Sequence, residues 1–512
     1  MSMADFDNDS ESQPFIHKSV PTENFHQSRA DASSNENDQK RGHLLWNRRR
    51  SWTTVYGPSR PVILLLLAFC AILVLRTLLR LIPQIDWNCR DGKHKYHPTT
   101  PTLGVPEDVQ HNWAQYSPYH PEGVYLTPPD GCVIDQVNIL QRHGARYPTE
   151  GAGINIKHAV QKLQNADEFR DERLNFLKHY SYDLGYEGLV HFGAAQSFDS
   201  GQEHFQRYEK LLNNSTLPFV RASGSARVIE SAEEWISGVS FASHYKHNLS
   251  LNVIIPETDN SNNTLDDDMC PNAGDSEPFK SVWQNIFSQS ILNRLNAIAP
   301  GSGLESADIP HLMSLCSFDT IAKEERSPFC SLFNSTEFED YEYFHDLDKY
   351  YKTGYGQRLG PVQGVGYVNE LLARLTDTPV RDNTQTNRTL DASPDTFPLE
   401  RPFYIDFSHD NEMVAIYAAM GLFRQETPLN LTMPEKNRTW RAAKLVPFSS
   451  RMVAERLSCG GETFVRVFVN DAIQPLEFCD AKSDGLCNLR NFVHSQSYAR
   501  NDGEGDFEKC YS

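Results

Sequence analysis

Three times along the chain a short apolar run meets a polar turn bearing glycine or serine, and the pattern then becomes helical. The first block is VIDQVNIL, Val133 to Leu140, followed by QRHGARYP, Gln141 to Pro148. The second, LPFVRASGSARVIESAEEWI, predicts a strand over Leu217 to Val220 and a helix from Ser225 onward. The third, PFYIDFSHDNEMVAIYAAMGLF, predicts a strand over Phe403 to Phe407 and a helix over Glu412 to Leu422. In open α/β sheets ligands bind at the carboxyl ends of strands, and helix amino termini favour anions, so these three turns form one candidate site. Later, TFVRVFV, NDA and IQPLEF read as a hairpin that adds antiparallel strands. Between Glu230 and about Lys349 the pattern is mainly helical and loop-like. The expected fold class is therefore α/β, a sheet domain flanked by helices with an inserted α-helical cap mainly within 230–349.

The amino-terminal pattern differs. Residues 1–60 are rich in Ser, Asn, Asp, Gln and Arg and predict a disordered cytosolic tail. The run VILLLLAFCAILVL, Val62 to Leu75, has no charge and extends through Leu79 if Arg76 and Arg80 snorkel to an interface. About sixty polar residues precede it, which suits a transmembrane signal anchor over 61–82 better than a cleaved signal peptide. Lys40, Arg41, Arg48, Arg49, Arg50 and Arg60 lie on its amino side, whereas only Arg76, Arg80 and Arg90 closely follow. That basic excess keeps the amino terminus in the cytosol and makes the chain a single-pass type II membrane protein, its remainder luminal, vacuolar or extracellular. Residues 83–121 read as a stalk and 122–512 as the folded domain.

Charge narrows the partners. A formal net charge of -19 and a pI of about 5.4 argue against nucleic acid, which needs a basic face. They leave a small phosphorylated substrate open, because a pocket can be locally positive on an acidic protein. Cys70 sits in the apolar run, and the other nine cysteines lie beyond it without CxxC or CxxH spacing, so a disulfide framework with one cysteine left over is expected rather than a metal cluster. Glycosylation acceptors at Asn213, Asn214, Asn248, Asn262, Asn334, Asn387, Asn430 and Asn437 all fall on the same side of the anchor.

Cleaving a phosphate monoester requires holding a dianion, attacking phosphorus opposite the leaving oxygen, and protonating that oxygen as it departs. The turns supply residue types for each task. Arg142, Arg146 and Arg221 can clamp phosphoryl oxygens with charge-assisted hydrogen bonds. His143, set among cations that lower its pKa, can act as the nucleophile. His409 adds a donor, and Asp410 can protonate the leaving oxygen. Each of these residue types alone is more often structural; the joint pattern RHGxRxP followed by a distant His-Asp pair is what points to catalysis.

With these motifs the chain resembles the histidine acid phosphatases and, within them, the fungal phytases. The resemblance runs from HNWAQYSPY, His111 to Tyr119, to Cys510, through FVRASGSARVIESA, CSFDTIA, LGPVQGVGYVNELLARLT, DFSHDN and VFVND. It implies an α/β domain and a helical cap with the site between them. It implies His143 as the phosphorylated nucleophile, Asp410 as the acid, and Arg142, Arg146, Arg221 and His409 as phosphate ligands, with Gln115, Tyr116 and Lys349 as further substrate contacts. No metal or organic cofactor is expected from it. Its disulfides would pair Cys132 with Cys459, Cys270 with Cys510, Cys316 with Cys330, and Cys479 with Cys487, leaving Cys89 over. In the phytases two consecutive lysines before a Tyr-Tyr pair help hold a polyphosphorylated substrate; here DLDKYY keeps Lys349 but places Asp348 at the other, and Asp348 is expected to face the pocket rim. Inositol hexakisphosphate is the leading substrate. The alternatives are a broad-specificity acid phosphatase and, against the intact His143 and Asp410, a non-catalytic inositol-phosphate-binding surface glycoprotein.

Overall fold

The eleven residues Cys132–Arg142 form β1, the strand around which the sheet is organised. In the computed structural model, which describes residues 98–512 apart from 214, 215, 260, 480, 482 and 483, β1 is followed by α1 (Glu150–Gln164) and α2 (His191–Tyr208). Then come β2 (Phe219–Ser223), α3 (Ala226–Ala242), β3 (Val253–Ile255), α4 (Glu277–Ile298), α5 (Asp308–Lys323) and α6 (Ser335–Lys352). The chain continues through α7 (Val365–Thr376), β4 (Phe403–Ser408), α8 (Asp410–Met420), β5 (Arg451–Cys459), β6 (Glu462–Val469), β7 (Ala472–Ile473) and β8 (Cys487–Asn488). The strand order is β3-β2-β4-β1-β5-β6-β7, with β8 on β6. Strands β3, β2, β4 and β1 are parallel, and β5 joins β1 antiparallel.

Period-two alternation sorts the strand residues between two apolar layers. On one face Val137, Ile139, Phe403, Ile405 and Phe407 pack against Tyr208 of α2 and Val228, Ala232 and Trp235 of α3. On the other, Leu140, Tyr404 and Val467 join a larger core shared with the remaining helices. β4, flanked on both sides, is buried at every position, which is why FYIDFS shows no polar edge. The carboxyl ends of β1, β2 and β4 thus open together at one edge of the sheet.

The expected α/β class holds, and its details shift. The mainly helical stretch expected within 230–349 is divided: α3 packs on the sheet through Trp235 and β3 is a sheet strand, so the helical side consists of α4, α5 and α6 with α1 against α5. Part of the expected stalk belongs to the core instead, because Leu103, Val105 and Trp113 are buried there. The predicted hairpin pairs β6 with the very short β7, while the longer antiparallel pairing, β5 with β6, lies before it. All four expected disulfides are present: Cys132–Cys459, Cys270–Cys510, Cys316–Cys330 and Cys479–Cys487. The tail, the anchor over 61–82 and Cys89 lie outside the described residues. Among the described residues no helix is long and apolar enough to cross a membrane.

Candidate active site

His143 follows β1 directly, and its amide donates to the Ser408 carbonyl at the end of β4, 3.1 Å away, which ties the two strand ends together. The side chain is buried. Its Nδ1 lies 2.8 Å from the Gly144 carbonyl oxygen. A carbonyl can only accept, so Nδ1 carries the hydrogen and Nε2 keeps a free lone pair. Burial, then the charges of Arg142, Arg146 and Arg227, hold the imidazole well below its ordinary pKa. That shift favours the neutral form of the ring, the form in which Nε2 has a lone pair to offer. Gly144 is needed for the turn to close, because a Cβ there would collide with the Gly193 carbonyl in the first turn of α2.

Around this ring stand three guanidiniums. Arg142 donates to the carbonyls of Gln115 and Val446 and lies 3.1 Å from Asp410. Arg146, in the turn, donates to the Tyr147 carbonyl at 2.8 Å. Arg227, in the first turn of α3, pairs with Glu187 at 3.0 Å and reaches to 3.5 Å from His409 Nδ1. In each of the three, Nε is buried without a hydrogen-bond partner. Three guanidinium charges gathered around one imidazole suit this pocket to an anion.

Arg221 is not part of it. Its Nε donates to Asp406 at 2.7 Å and its terminal nitrogen to Glu370 at 2.5 Å, beneath the pocket and inside the sheet layer. Arg221 sits in the middle of β2, so its side chain projects from a sheet face, whereas Arg227 opens the next helix at the strand's carboxyl end. The residue that stands beside His143 and His409 is thus Arg227, its neighbour in SGSAR, and not Arg221. The signal was available in the sequence, since helix-start residues rather than mid-strand residues face such a crevice.

His409 ends β4 and precedes α8, its ring 5.6 Å from that of His143. Asp410 opens α8. Its Oδ2 lies 2.8 Å from Lys349 Nζ, which also donates to Asn411 at 2.6 Å. Burial opposes ionisation of Asp410, but Arg142 and Lys349 hold its carboxyl well below the usual range. Lys349, expected as a substrate contact, is engaged by Asp410 and Asn411. The side-chain nitrogen of Gln115 faces His345 at 3.0 Å, so Gln115 serves the site through the carbonyl that fixes Arg142. The half-buried Tyr116 packs against Phe318, with ring centroids 4.6 Å apart, and its hydroxyl feels Arg146, Asp348, Asp410 and Arg142.

Asp348, expected free at the rim, is neutralised. It accepts from Ser276 at 2.5 Å and pairs with Lys280 of α4 at 3.0 Å. A group of possible metal ligands, Glu257, Asp266 and His409, brings its atoms within 4.8 Å of one another. The Glu257 carboxylate, however, is already occupied by hydrogen bonds from Ser223, Ser225 and His409.

Residues 133–470 match the Histidine phosphatase superfamily (branch 2). The chain is 40% identical over 446 residues to Phytase A of Emericella nidulans, covering 83% of this chain and 94% of that one. It is 41% identical to Phytase A of Aspergillus fumigatus, covering 79% and 91%. Among solved structures, the phytase from D. castellii superposes with a TM-score of 0.64 at 24% identity, over 77% of this chain and 85% of that one. That likeness supports the fold. The chain belongs to branch 2 of the histidine phosphatase superfamily, as a phosphoric monoester hydrolase similar to the fungal phytases.

Proposed function

We propose that the chain is an acid phosphomonoesterase of inositol phosphates, with inositol hexakisphosphate the leading substrate, acting through a phosphohistidine on His143. The observation that carries this reading is the convergence of three guanidinium charges, Arg142, Arg146 and Arg227, on His143, whose Nδ1 is engaged by the Gly144 carbonyl and whose Nε2 is thereby left for attack. Arg142, Arg146, Arg227 and His409 hold the phosphoryl oxygens. The His143 Nε2 lone pair forms a bond to phosphorus, the bond to the leaving oxygen breaks, and Asp410 delivers its proton to that oxygen. A bound dianion offsets the Arg142 and Lys349 charges that hold the Asp410 carboxyl low, so substrate binding itself raises the acid's pKa. Water then attacks phosphorus with the Asp410 carboxylate taking its proton, phosphate leaves, and Nε2 is restored.

The choice of inositol phosphates rests on the relatives named Phytase A. Its test is catalytic efficiency on inositol hexakisphosphate against p-nitrophenyl phosphate at acid pH. The proposal expects the hexakisphosphate to be preferred; equal or lower efficiency on it would support the broad acid phosphatase instead. The proposed location is luminal or extracellular behind the 61–82 anchor. Four disulfides suit an oxidising compartment. The acceptors Asn213, Asn248, Asn262, Asn334, Asn430 and Asn437 are exposed, as glycosylation requires.

A further inference from the structure

His409 follows β4 and Arg227 opens the helix that follows β2, yet a single carboxylate on the segment after β3 touches the attachment of both. Glu257 Oε1 accepts from His409 Nε2 at 2.9 Å, from the Ser223 hydroxyl at 2.6 Å and from the Ser225 amide at 2.8 Å. Its Oε2 accepts from the Ser225 hydroxyl at 2.5 Å. Ser225 precedes α3, and Arg227 stands in that helix's first turn. Ser223 is also held by Asn263 at 2.9 Å, and Gly224 packs so closely that a Cβ would lie 3.0 Å from the Glu257 amide nitrogen.

We propose that Glu257 is a positioning residue that keeps the two donors His409 and Arg227 in register for one phosphoryl group. With Nε2–H of His409 given to the carboxylate, the ring cannot rotate without losing that bond, and Nδ1, 3.5 Å from Arg227, is the nitrogen left to face the phosphoryl group, donating to it when both ring nitrogens carry hydrogen. Fixing the Ser223–Ser225 turn with the same carboxylate places the start of α3 relative to β4. Four accepted hydrogen bonds, three of them to serine groups, make this a geometric brace rather than a lone ion pair. Asp266 Oδ1, at 4.0 Å from His409 Nε2, is too distant for that role.

The inference rests on the reading that His409 and Arg227 bind the phosphoryl group, so His409→Ala is measured first on the full chain, with p-nitrophenyl phosphate turnover and inhibition by inorganic phosphate. If His409→Ala is harmless, that reading falls. Given a damaging His409→Ala, Glu257→Ala is expected to lower kcat/KM and weaken phosphate inhibition by about tenfold to a hundredfold, the cost of small misplacement. Glu257→Gln keeps an oxygen that can accept from Nε2–H and should recover most of the loss. Glu257→Asp keeps the charge but withdraws it by one methylene, and should recover less than Gln. The double variant Glu257→Ala/His409→Ala should fall well short of the product of the single losses. Multiplicative losses, better rescue by Asp than by Gln, or a larger loss from Asp266→Asn would overturn the proposal. Should Glu257→Ala fail to fold, the Asp variant carries the same double-mutant comparison.

Discussion

Asp410 lies between two cations, 2.8 Å from Lys349 and 3.1 Å from Arg142, so its proposed role as an acid depends on what occupies the pocket. Asp410→Asn should slow alkyl phosphates by about a hundredfold to ten-thousandfold while slowing aryl phosphates far less, because only a poor leaving group needs its proton in the transition state. Equal slowing of both classes would remove Asp410 from that role. Arg227→Ala should weaken inhibition by inorganic phosphate with little change in melting temperature. Asp348→Lys, in contrast, should not improve hexakisphosphate turnover, because it sets an ammonium against Lys280 in place of a 3.0 Å ion pair; a raised efficiency would put position 348 back at the rim. At this scale the sequence was most readable where residue types are chemically constrained. His143, Arg142, Arg146, His409 and Asp410 converge as expected. Arg221 and Asp348 did not, because which charge pairs with which is set by side chains distant in sequence: Glu370 and Asp406 in one case, Lys280 in the other.

Arg221 belongs instead to the stability of β2, β4 and α7. Asp406 of β4 accepts from Arg221 at 2.7 Å and from Arg374 of α7 at 2.6 Å, all nearly without exposure. Breaking such a buried cluster from one side strands an uncompensated charge, so Arg221→Ala should cost about 3–5 kcal/mol of unfolding free energy. Chemical denaturation of Arg221→Ala and Arg227→Ala side by side checks this, and an unchanged midpoint for Arg221→Ala would contradict it. The same cluster sets a pH limit. Burial opposes ionisation of Asp406, but Arg221 and Arg374 hold its carboxyl down to about 2. A depressed carboxyl stabilises the fold fully above its unfolded pKa of about 4 and loses that contribution as pH falls from there to about 2. Stability should thus drop across that window, and less steeply in Asp406→Asn. The strands β1 and β4 were legible because their buried faces read as apolar runs. β5 was not: RMVAERLSC carries Glu455 as a fully buried charge that accepts from Arg466 at 2.6 Å and from Tyr208 and Tyr125 at 2.7 Å, so an inward position reads as an outward one.

For the molecule as a whole, the acidic net charge of -19 coexists with a pocket lined by Arg142, Arg146 and Arg227, which fits an enzyme that admits small anions. The proposed topology predicts that, in sealed microsomes, a tag at the amino terminus is cut by added protease while the catalytic region is protected and glycosylated. A protease-accessible, unglycosylated catalytic region would reverse it. The alternation pattern revealed the sheet's parallel half and the position of the site, but not the division of the helices between the two sides, since a helix's own pattern does not name the layer it covers and only packing assigns Trp235 to the sheet and Phe287 to the larger core. The central claim, a covalent phosphoryl group on His143, is tested most directly by rapid quenching of the full chain during turnover of a radiolabelled phosphomonoester, followed by mapping of the label. The prediction is a label on the peptide bearing His143, stable in base and lost in acid, and absent from a folded His143→Ala variant. Equal labelling of that variant, or wild-type label on another residue, would contradict it.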